Sequence, residues 1–169
     1  HDEYPIMGLT PGVAARTTEE IRAHMEWTTG QLRADHLALL AGLPTTVNAH
    51  IDEWRVRFQH FLLTGDRVSE EFLGDDSNAY FQRFGVAPRQ IVCFGHIHQR
   101  IWQFDGSRGI LNPGATGFHG DGDAWFAVLV IREMSVWVEW HAVESDSAAV
   151  VDELERRAVP GGLPLTHTA

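Results

Sequence analysis

A short apolar run that ends in a glycine and two histidines constrains this chain more than any other stretch. Residues 91–98 read Ile-Val-Cys-Phe-Gly-His-Ile-His. The four apolar residues predict a fully buried strand, and Gly95 predicts a sharp turn at its end. On an extended backbone, side chains at i and i+2 lie on the same side, so His96 and His98 can reach one point. The sequence therefore predicts a metal-ligand pair at the end of a buried strand, where open α/β sheets place their sites.

A second motif follows within twenty residues. Residues 109–117 read Gly-Ile-Leu-Asn-Pro-Gly-Ala-Thr-Gly. Glycine and the fixed φ of proline allow the backbone of Asn112-Pro113-Gly114 to approach a neighbouring group closely. We therefore expect this segment to end a strand beside the histidine motif.

The composition is that of a globular protein and limits the function. The 169 residues predict one domain, and 44% of them are hydrophobic. The net charge of −10 argues against a nucleic-acid-binding surface. It permits a small phosphorylated substrate, because metal ions can supply local positive charge. The longest apolar run, 124–131, is too short to span a membrane. A single cysteine fits a reducing compartment, so we expect a cytoplasmic protein; its oligomeric state is not predicted.

The periodicity of apolar residues predicts an α/β fold with mixed sheets. The strand predicted over 54–62 places Trp54, Val56 and Phe58 on one face, and His60 stands near its end. The predicted elements, in order, are helices at 18–32 and 33–41, strands at 46–51 and 54–62, a helix at 77–84, the buried strand, a hairpin at 101–111, a strand pair at 125–131 and 136–142, and a last helix capped by Ser145.

Together the two motifs resemble the closing motifs of the calcineurin-like metallophosphoesterases, Gly-His-x-His and then Asn-Pro-Gly-Ser/Ala. The opening His1-Asp2 is similar to the second half of the Gly-Asn-His-Asp/Glu motif of that family. His60 stands where the family places a metal-binding histidine, although Phe61 replaces the glycine that usually follows it. The resemblance implies an αββα sandwich with mixed sheets. It also implies a single metallophosphoesterase domain over 1–169, most like the small bacterial phosphodiesterases.

The resemblance also implies a mechanism. Two divalent metal ions, of Mn, Fe, Zn or Ni, would hold a bridging hydroxide that attacks a phosphate ester. Carried over by position, His60 and His96 would bind one metal ion and His98 the other. His1 would be catalytic, either stabilising the transition state or protonating the leaving oxygen.

The same resemblance implies supporting roles for four other residues. His119 is a candidate contact to the substrate. Gly95, Asn112 and Gly114 would shape the loops of the site without taking part in the reaction.

The family's remaining metal ligands belong to motifs that would lie upstream of His1. We therefore expect this chain to be the C-terminal portion of the domain, with the N-terminal part missing, and to be inactive alone. The intact protein would be a phosphodiesterase or a phosphatase. Two alternatives stay open: an interaction scaffold that has lost its metals, and a mononuclear or structural metal site formed by His60, His96 and His98. The sequence does not give the natural substrate.

Overall fold

The structure is a computed structural model, and it describes residues 18–64, 67–68, 77–116 and 123–161. The chain forms two compact units. The first contains the described residues up to Leu43 and those from Asp146 onward, and the second is Pro44–Ser145. Within these described ranges, no helix has the length and apolar character needed to cross a lipid bilayer.

The first unit is helical. Its helices are α1 (Glu19–Gly30), α2 (Ala34–Ala41) and α4 (Ser147–Arg156). Thr18 caps α1, because its hydroxyl oxygen accepts a hydrogen bond from the Ile21 amide at 3.3 Å. The sequence predicts Ser145 as the cap of the last helix, but the cap is Asp146. The Asp146 carboxylate lies three residues before the Ala149 amide and accepts its hydrogen bond at 2.9 Å.

The apolar stripes of these helices are less buried than the sequence predicts. None of the residues of α1, α2 or α4 is fully buried. Helical spacing predicts that Ile21 and Val150 face a core, but each is 47% exposed. Helical spacing identifies the residues that share a face, but it does not say how completely another element covers that face.

A mixed sheet organises the second unit, as the sequence predicts. The elements of this unit are β1 (Thr46–Ile51), β2 (Trp54–Gln59), β3 (Leu63–Thr64), β4 (Arg67–Val68), α3 (Ser77–Arg83), β5 (Gln90–Cys93), β6 (Arg100–Phe104), β7 (Arg108–Pro113), β8 (Asp123–Arg132) and β9 (Ser135–Glu144). The mixed sheet has five strands in the order β1-β2-β5-β7-β6, in which β2, β5 and β7 are parallel and the edge strands β1 and β6 are antiparallel to their neighbours. The short helix α3 precedes β5.

The core of this unit is aromatic and lies against the central strand. Ile91 and Val92 of β5 are completely buried, which confirms the predicted buried strand. Val92 belongs to a cluster that also contains Phe61, Tyr80, Phe81, Phe84, Phe94 and Ile110. Burial of this apolar surface is the main contribution to the stability of the sheet. On β2, Trp54 is buried as predicted, whereas Phe58 is 43% exposed.

The strands β8 and β9 form the predicted antiparallel pair, with Trp125 opposite Ala142. The continuous apolar run of β8 is not fully covered, because Phe126 and Val128 are 44% and 40% exposed. A run of apolar residues does not distinguish a strand packed on two faces from one packed on a single face.

Candidate metal centre

The loops after β2 and β5 carry two of the predicted metal ligands. Because these strands are parallel neighbours, their carboxyl ends meet at one edge of the sheet. His60 is the first residue after β2, and Gly95 and His96 follow β5 closely. A hydrogen bond from the Gly95 amide to the His60 carbonyl oxygen, at 2.8 Å, ties the two loops together.

The structure brings His60 and His96 into direct contact. The distance from His60 Nε2 to His96 Nδ1 is 3.3 Å. The two rings meet nearly edge to face, with their planes at 77°. His60 is exposed and His96 is half-buried, so the nitrogen pair lies where the core meets the surface.

The backbone around His96 and His98 differs from the extended conformation that the sequence predicts. The Ile97 amide donates to the Gly95 carbonyl oxygen at 2.8 Å, and φ of His96 is +69°. An i to i+2 hydrogen bond around a residue with positive φ is a rare and strained γ-turn. His98 also has positive φ, at +54°. The strand therefore ends before the histidines, and strand alternation no longer sets the directions of their side chains.

The sharp turn lies at His96 and not, as predicted, at Gly95. Gly95 does not have positive φ. A Cβ added at Gly95 would be 3.7 Å from His60 Nδ1, which is an ordinary van der Waals contact. The left-handed conformation of a non-glycine residue costs roughly 1–2 kcal/mol. Such strain persists only where the surrounding structure holds it, and it is concentrated at functional sites.

The Asn112 side chain fixes the His96 turn through hydrogen bonds. This residue is completely buried at the end of β7. Its Nδ2 donates to the Gly95 carbonyl oxygen at 2.9 Å, and its Oδ1 accepts from the Gly114 amide at 3.0 Å. Both ends of the amide are therefore used, and the side chain joins the His96 turn to the Asn-Pro-Gly motif.

Gly114 is a position where glycine is required by the backbone. Its φ is +89°, and an added Cβ would lie 3.1 Å from Arg100 Cγ. The same added atom would be 3.7 Å from the His98 carbonyl oxygen and 3.8 Å from Trp125 Cβ. Arg100, His98 and Trp125 therefore meet around Gly114.

Phe61 packs against the ring of His96 from the core side. It is completely buried, and its ring centroid is 4.7 Å from that of His96. It also meets Phe84 edge to face. The sequence identifies Phe61 only as a departure from the glycine that usually follows this histidine in the family. Its support of His96 was missed, and the apolar residues Phe61-Leu62 directly after His60 were the available signal.

The environment favours a neutral imidazole at His96. Partial burial lowers the pKa of His96, and the charge of nearby His98 lowers it further. A neutral imidazole is the form that binds metal ions. The environment of His96 therefore favours its ligand form near neutral pH.

The contact between His60 and His96 fits one metal ion. Metal–nitrogen bonds of about 2.0–2.1 Å to atoms 3.3 Å apart subtend roughly 105–110°, which is close to tetrahedral. A hydrogen bond between a donor and an acceptor imidazole also suits this distance. In the part of the chain that the structure describes, no three His, Cys, Asp or Glu side chains form a group able to hold a metal ion.

Two predicted site residues cannot be placed. His1 and His119 lie outside the described residues, so their catalytic and substrate-binding roles stay predictions. His98 is described and exposed, and its assignment to a second metal ion likewise stays a prediction.

Solved structures share this architecture. No protein-family sequence model matches the chain, and no curated protein sequence matches it significantly. A hypothetical protein from Pyrococcus horikoshii OT3 matches with a TM-score of 0.75 at 16% identity, over 95% of this chain and 66% of that one. A metallophosphoesterase from Sphaerobacter thermophilus matches with a TM-score of 0.62 at 23% identity, over 95% of this chain and 70% of that one.

The chain thus spans about two thirds of the length of each of these structures. At these identities the likeness concerns the fold. The mixed sheet and the small β8–β9 sheet correspond to the predicted α/β architecture. The chain therefore has the fold of the calcineurin-like metallophosphoesterases.

Proposed function

We propose that the intact protein is a metal-dependent phosphoesterase, acting as a phosphodiesterase or a phosphatase. The observation that supports this proposal is the 3.3 Å approach of His60 Nε2 to His96 Nδ1. These nitrogens lie at the carboxyl ends of two parallel strands, in a fold shared with the metallophosphoesterase from Sphaerobacter thermophilus.

In this proposal His60 and His96 hold one divalent cation, and His98 holds a second. Neutral imidazoles accept Mn, Fe, Zn and Ni, so the ligands do not select one of these metals. Divalent cations supply Lewis-acid polarisation of a phosphate ester and activation of water. Further ligands come from parts of the intact protein outside the described residues.

The residues around the histidines position them. Phe61 closes the core side of His96 and keeps water from that face of the ring. Asn112 fixes the carbonyl group around which the His96 turn forms. Preorganised ligands lower the free-energy cost of binding, because the site does not rearrange when it is filled. We further propose that His1 protonates the leaving oxygen.

The proposed substrate is a small phosphorylated molecule in the cytoplasm. A net charge of −10 repels nucleic-acid polymers. It has less effect on a small anion that is drawn to bound cations.

Hydrolysis of chromogenic esters tests the proposal. The intact protein is stripped with a chelator and assayed with bis(p-nitrophenyl) phosphate and p-nitrophenyl phosphate, with and without each of the four metals. We expect activity only with metal, and a loss of at least about 100-fold in His96→Ala, because removing a direct ligand exceeds the 10–100-fold effect of outer-shell changes. His141→Ala, which changes an exposed histidine on β9, is the matched control and should retain full activity.

The two alternatives give different results. A protein that neither binds Mn nor hydrolyses either ester would be the interaction scaffold. For the structural metal site, His98→Ala would lower the melting temperature of the metal-loaded protein. In the proposed function the wild type hydrolyses the esters and the same variant loses turnover, whereas a structural metal site gives no turnover in either protein.

A further inference from the structure

We propose that the outer edge of β1 pairs with β1 of a second copy of this chain, antiparallel and about a two-fold axis at Ala49. The interaction surface is the edge strand Thr46–Ile51, and its occupant is the same strand of the other copy. The inference goes beyond the proposed function and does not depend on it, because β1 contains none of the candidate metal ligands.

The outer edge of β1 is regular and can accept another strand. Within the described residues, β1 stands at the end of the sheet and pairs with β2 alone. Six consecutive pairs join the two strands, from Thr46 opposite Gln59 to Ile51 opposite Trp54. No bulge interrupts this ladder, so alternate N–H and C=O groups of β1 point outward in a regular row.

This edge lacks the features that normally prevent strands from pairing. Residues 46–51 read Thr-Val-Asn-Ala-His-Ile, without proline, lysine, arginine or an acidic residue. Proteins protect edge strands with charged side chains, proline or bulges. The net charge of −10 makes two copies repel each other elsewhere. An edge without acidic side chains is therefore a place where a second copy can approach.

One face of the β1–β2 pair carries apolar side chains that are exposed at the edge. Val47 lies opposite Phe58, and Ile51 lies opposite Trp54. Trp54 is buried, whereas Val47, Ile51 and Phe58 are 49%, 42% and 43% exposed. The apolar face of the sheet thus continues outward beyond the residues that cover it. A further strand with apolar residues on this face would extend the cover.

The sequence of β1 complements itself about Ala49. Residues directly opposite each other in an antiparallel pair have side chains on the same face. With the axis at Ala49, Val47 lies opposite Ile51 of the second copy, and the two Ala49 residues lie opposite each other. On the other face, Asn48 lies opposite His50 of the second copy. Apolar residues therefore meet apolar residues, and polar residues meet polar ones.

The neighbouring registers match less well. A shift by one residue places Val47 opposite the polar His50 and reverses the face on which the second copy has its apolar side chains. A shift by two residues places Val47 opposite Glu53 in one direction, and Ile51 opposite Thr45 in the other. Of these registers, the one centred on Ala49 alone gives both exposed apolar residues of β1 an apolar partner.

Sedimentation velocity of the intact protein tests the inference. We expect a monomer–dimer equilibrium between about 1 and 200 µM, because a single strand pair gives a small interface of the transient class. Ala49→Glu places two carboxylates opposite each other at the axis and should raise the dimer Kd at least about tenfold. Val143→Glu makes a similar change at an exposed residue of β9 and should leave the Kd unchanged. Melting temperatures check that each variant is folded.

A charge exchange tests the register. Val47→Lys and Ile51→Glu should each weaken the dimer, because each places a charge opposite an apolar residue. The double variant should recover at least half of the larger loss on a logarithmic scale. Within one chain the two positions are about 13 Å apart along the strand, so this recovery requires that they lie opposite each other across the axis.

A disulfide gives a second readout of the same register. Residues directly opposite in an antiparallel pair have Cα atoms about 4.5–5.5 Å apart, which suits a disulfide. With oxidised glutathione as the oxidant, two Ala49→Cys thiols should lose two electrons and two protons and join the copies, as glutathione is reduced. Val143→Cys should not form such a dimer at the same concentration. Burial raises the pKa of Cys93 to about 12, which keeps this thiol unreactive.

The outcomes separate this inference from the proposed function, since association is measured without a metal ion or an ester. A protein that stays monomeric at 200 µM would overturn the pairing, and would show that another part of the intact protein or a different partner occupies the edge. A dimer that Ala49→Glu leaves unchanged, and that Ala49→Cys does not cross-link, would assign the contact to another surface and equally overturn it. Neither result would affect the phosphoesterase.

Discussion

The Asn112 side chain donates a hydrogen bond from Nδ2 to the Gly95 carbonyl oxygen across 2.9 Å, and this oxygen also accepts the Ile97 amide that closes the His96 turn. The buried Asn112 side chain and the Ile97 amide of the strained turn therefore donate to the same carbonyl oxygen. The stability of the fold and the geometry of the candidate ligands are therefore coupled at one carbonyl group.

Replacing Asn112 by alanine should destabilise the protein by about 2–3 kcal/mol. The change removes two hydrogen bonds and leaves the half-buried Gly114 amide without its acceptor. Urea denaturation measures the effect, and Asn48→Ala on the edge strand β1 is the control because Asn48 is exposed. A loss below about 0.5 kcal/mol, equal to that of the control, would show that Asn112 does not hold the turn.

Gly114→Ala should cost more than Gly106→Ala, although both glycines have φ of +89°. The strain of the left-handed backbone, about 1–2 kcal/mol, is common to both changes. Nothing lies within 4 Å of a Cβ at Gly106, whereas a Cβ at Gly114 meets Arg100 Cγ at 3.1 Å. We expect an extra cost of about 1 kcal/mol, in the range of mild overpacking. The double variant Gly114→Ala, Arg100→Ala should recover it, and equal costs for the two glycines would contradict a close packing of Arg100.

The thiol of Cys93 should resist modification in the folded protein. Burial raises the pKa of Cys93 to about 12, so almost no thiolate, the reactive form, is present at pH 8. We expect a thiol-reactive disulfide reagent to modify it only after denaturation. Prompt modification of the native protein at pH 8 would contradict the burial of this strand.

The same pKa shift gives a stability effect at high pH. Because the pKa of Cys93 is higher in the folded state, the neutral thiol contributes fully to the free energy of unfolding below the unfolded pKa of about 8.5. This contribution is lost as the pH rises to about 12. The free energies of unfolding of wild type and Cys93→Ala should therefore converge over that interval. A constant difference between pH 8 and 11 would disprove the shift.

Asp105 should make the turn between β6 and β7 sensitive to acid. Burial opposes its ionisation, but hydrogen bonds from Arg108 and Ser107 lower the pKa of Asp105 to about 2. Because the pKa of Asp105 is lower in the folded state, its carboxylate contributes fully to the free energy of unfolding above the unfolded pKa of about 3.9. This contribution is lost as the pH falls to about 2. Asp105→Asn should therefore differ from wild type at pH 6 and match it near pH 2, as measured by urea denaturation. A difference that stays constant with pH would refute this.

The central sheet could be predicted because the residues that determine its strands and turns are close together in the sequence. The buried run at Ile91 and Val92, and the turn chemistry of Asp105-Gly106-Ser107, determine strand and hairpin without reference to distant residues. The cap of the last helix was misassigned by one residue, because Ser145 and Asp146 are both good caps and only tertiary geometry decides between them.

The shape of the site was less predictable than its residues. The meeting of His60 and His96 followed from the resemblance, but the γ-turn did not, since alternation applies only while the strand continues. The packing of Phe61 on His96 and of Arg100 on Trp125 joins segments that are distant in sequence. A single sequence contains no local signal for such contacts.

The most direct test of the central claim is anomalous X-ray diffraction from crystals of the intact protein grown with Mn. We expect an anomalous peak bonded to both His60 Nε2 and His96 Nδ1, at about 2.0–2.3 Å from each nitrogen. The same peak should be absent from crystals of His96→Ala. Crystals in which Mn is saturating, yet His60 and His96 remain hydrogen-bonded to each other without a peak between them, would contradict the metal centre and the function proposed from it.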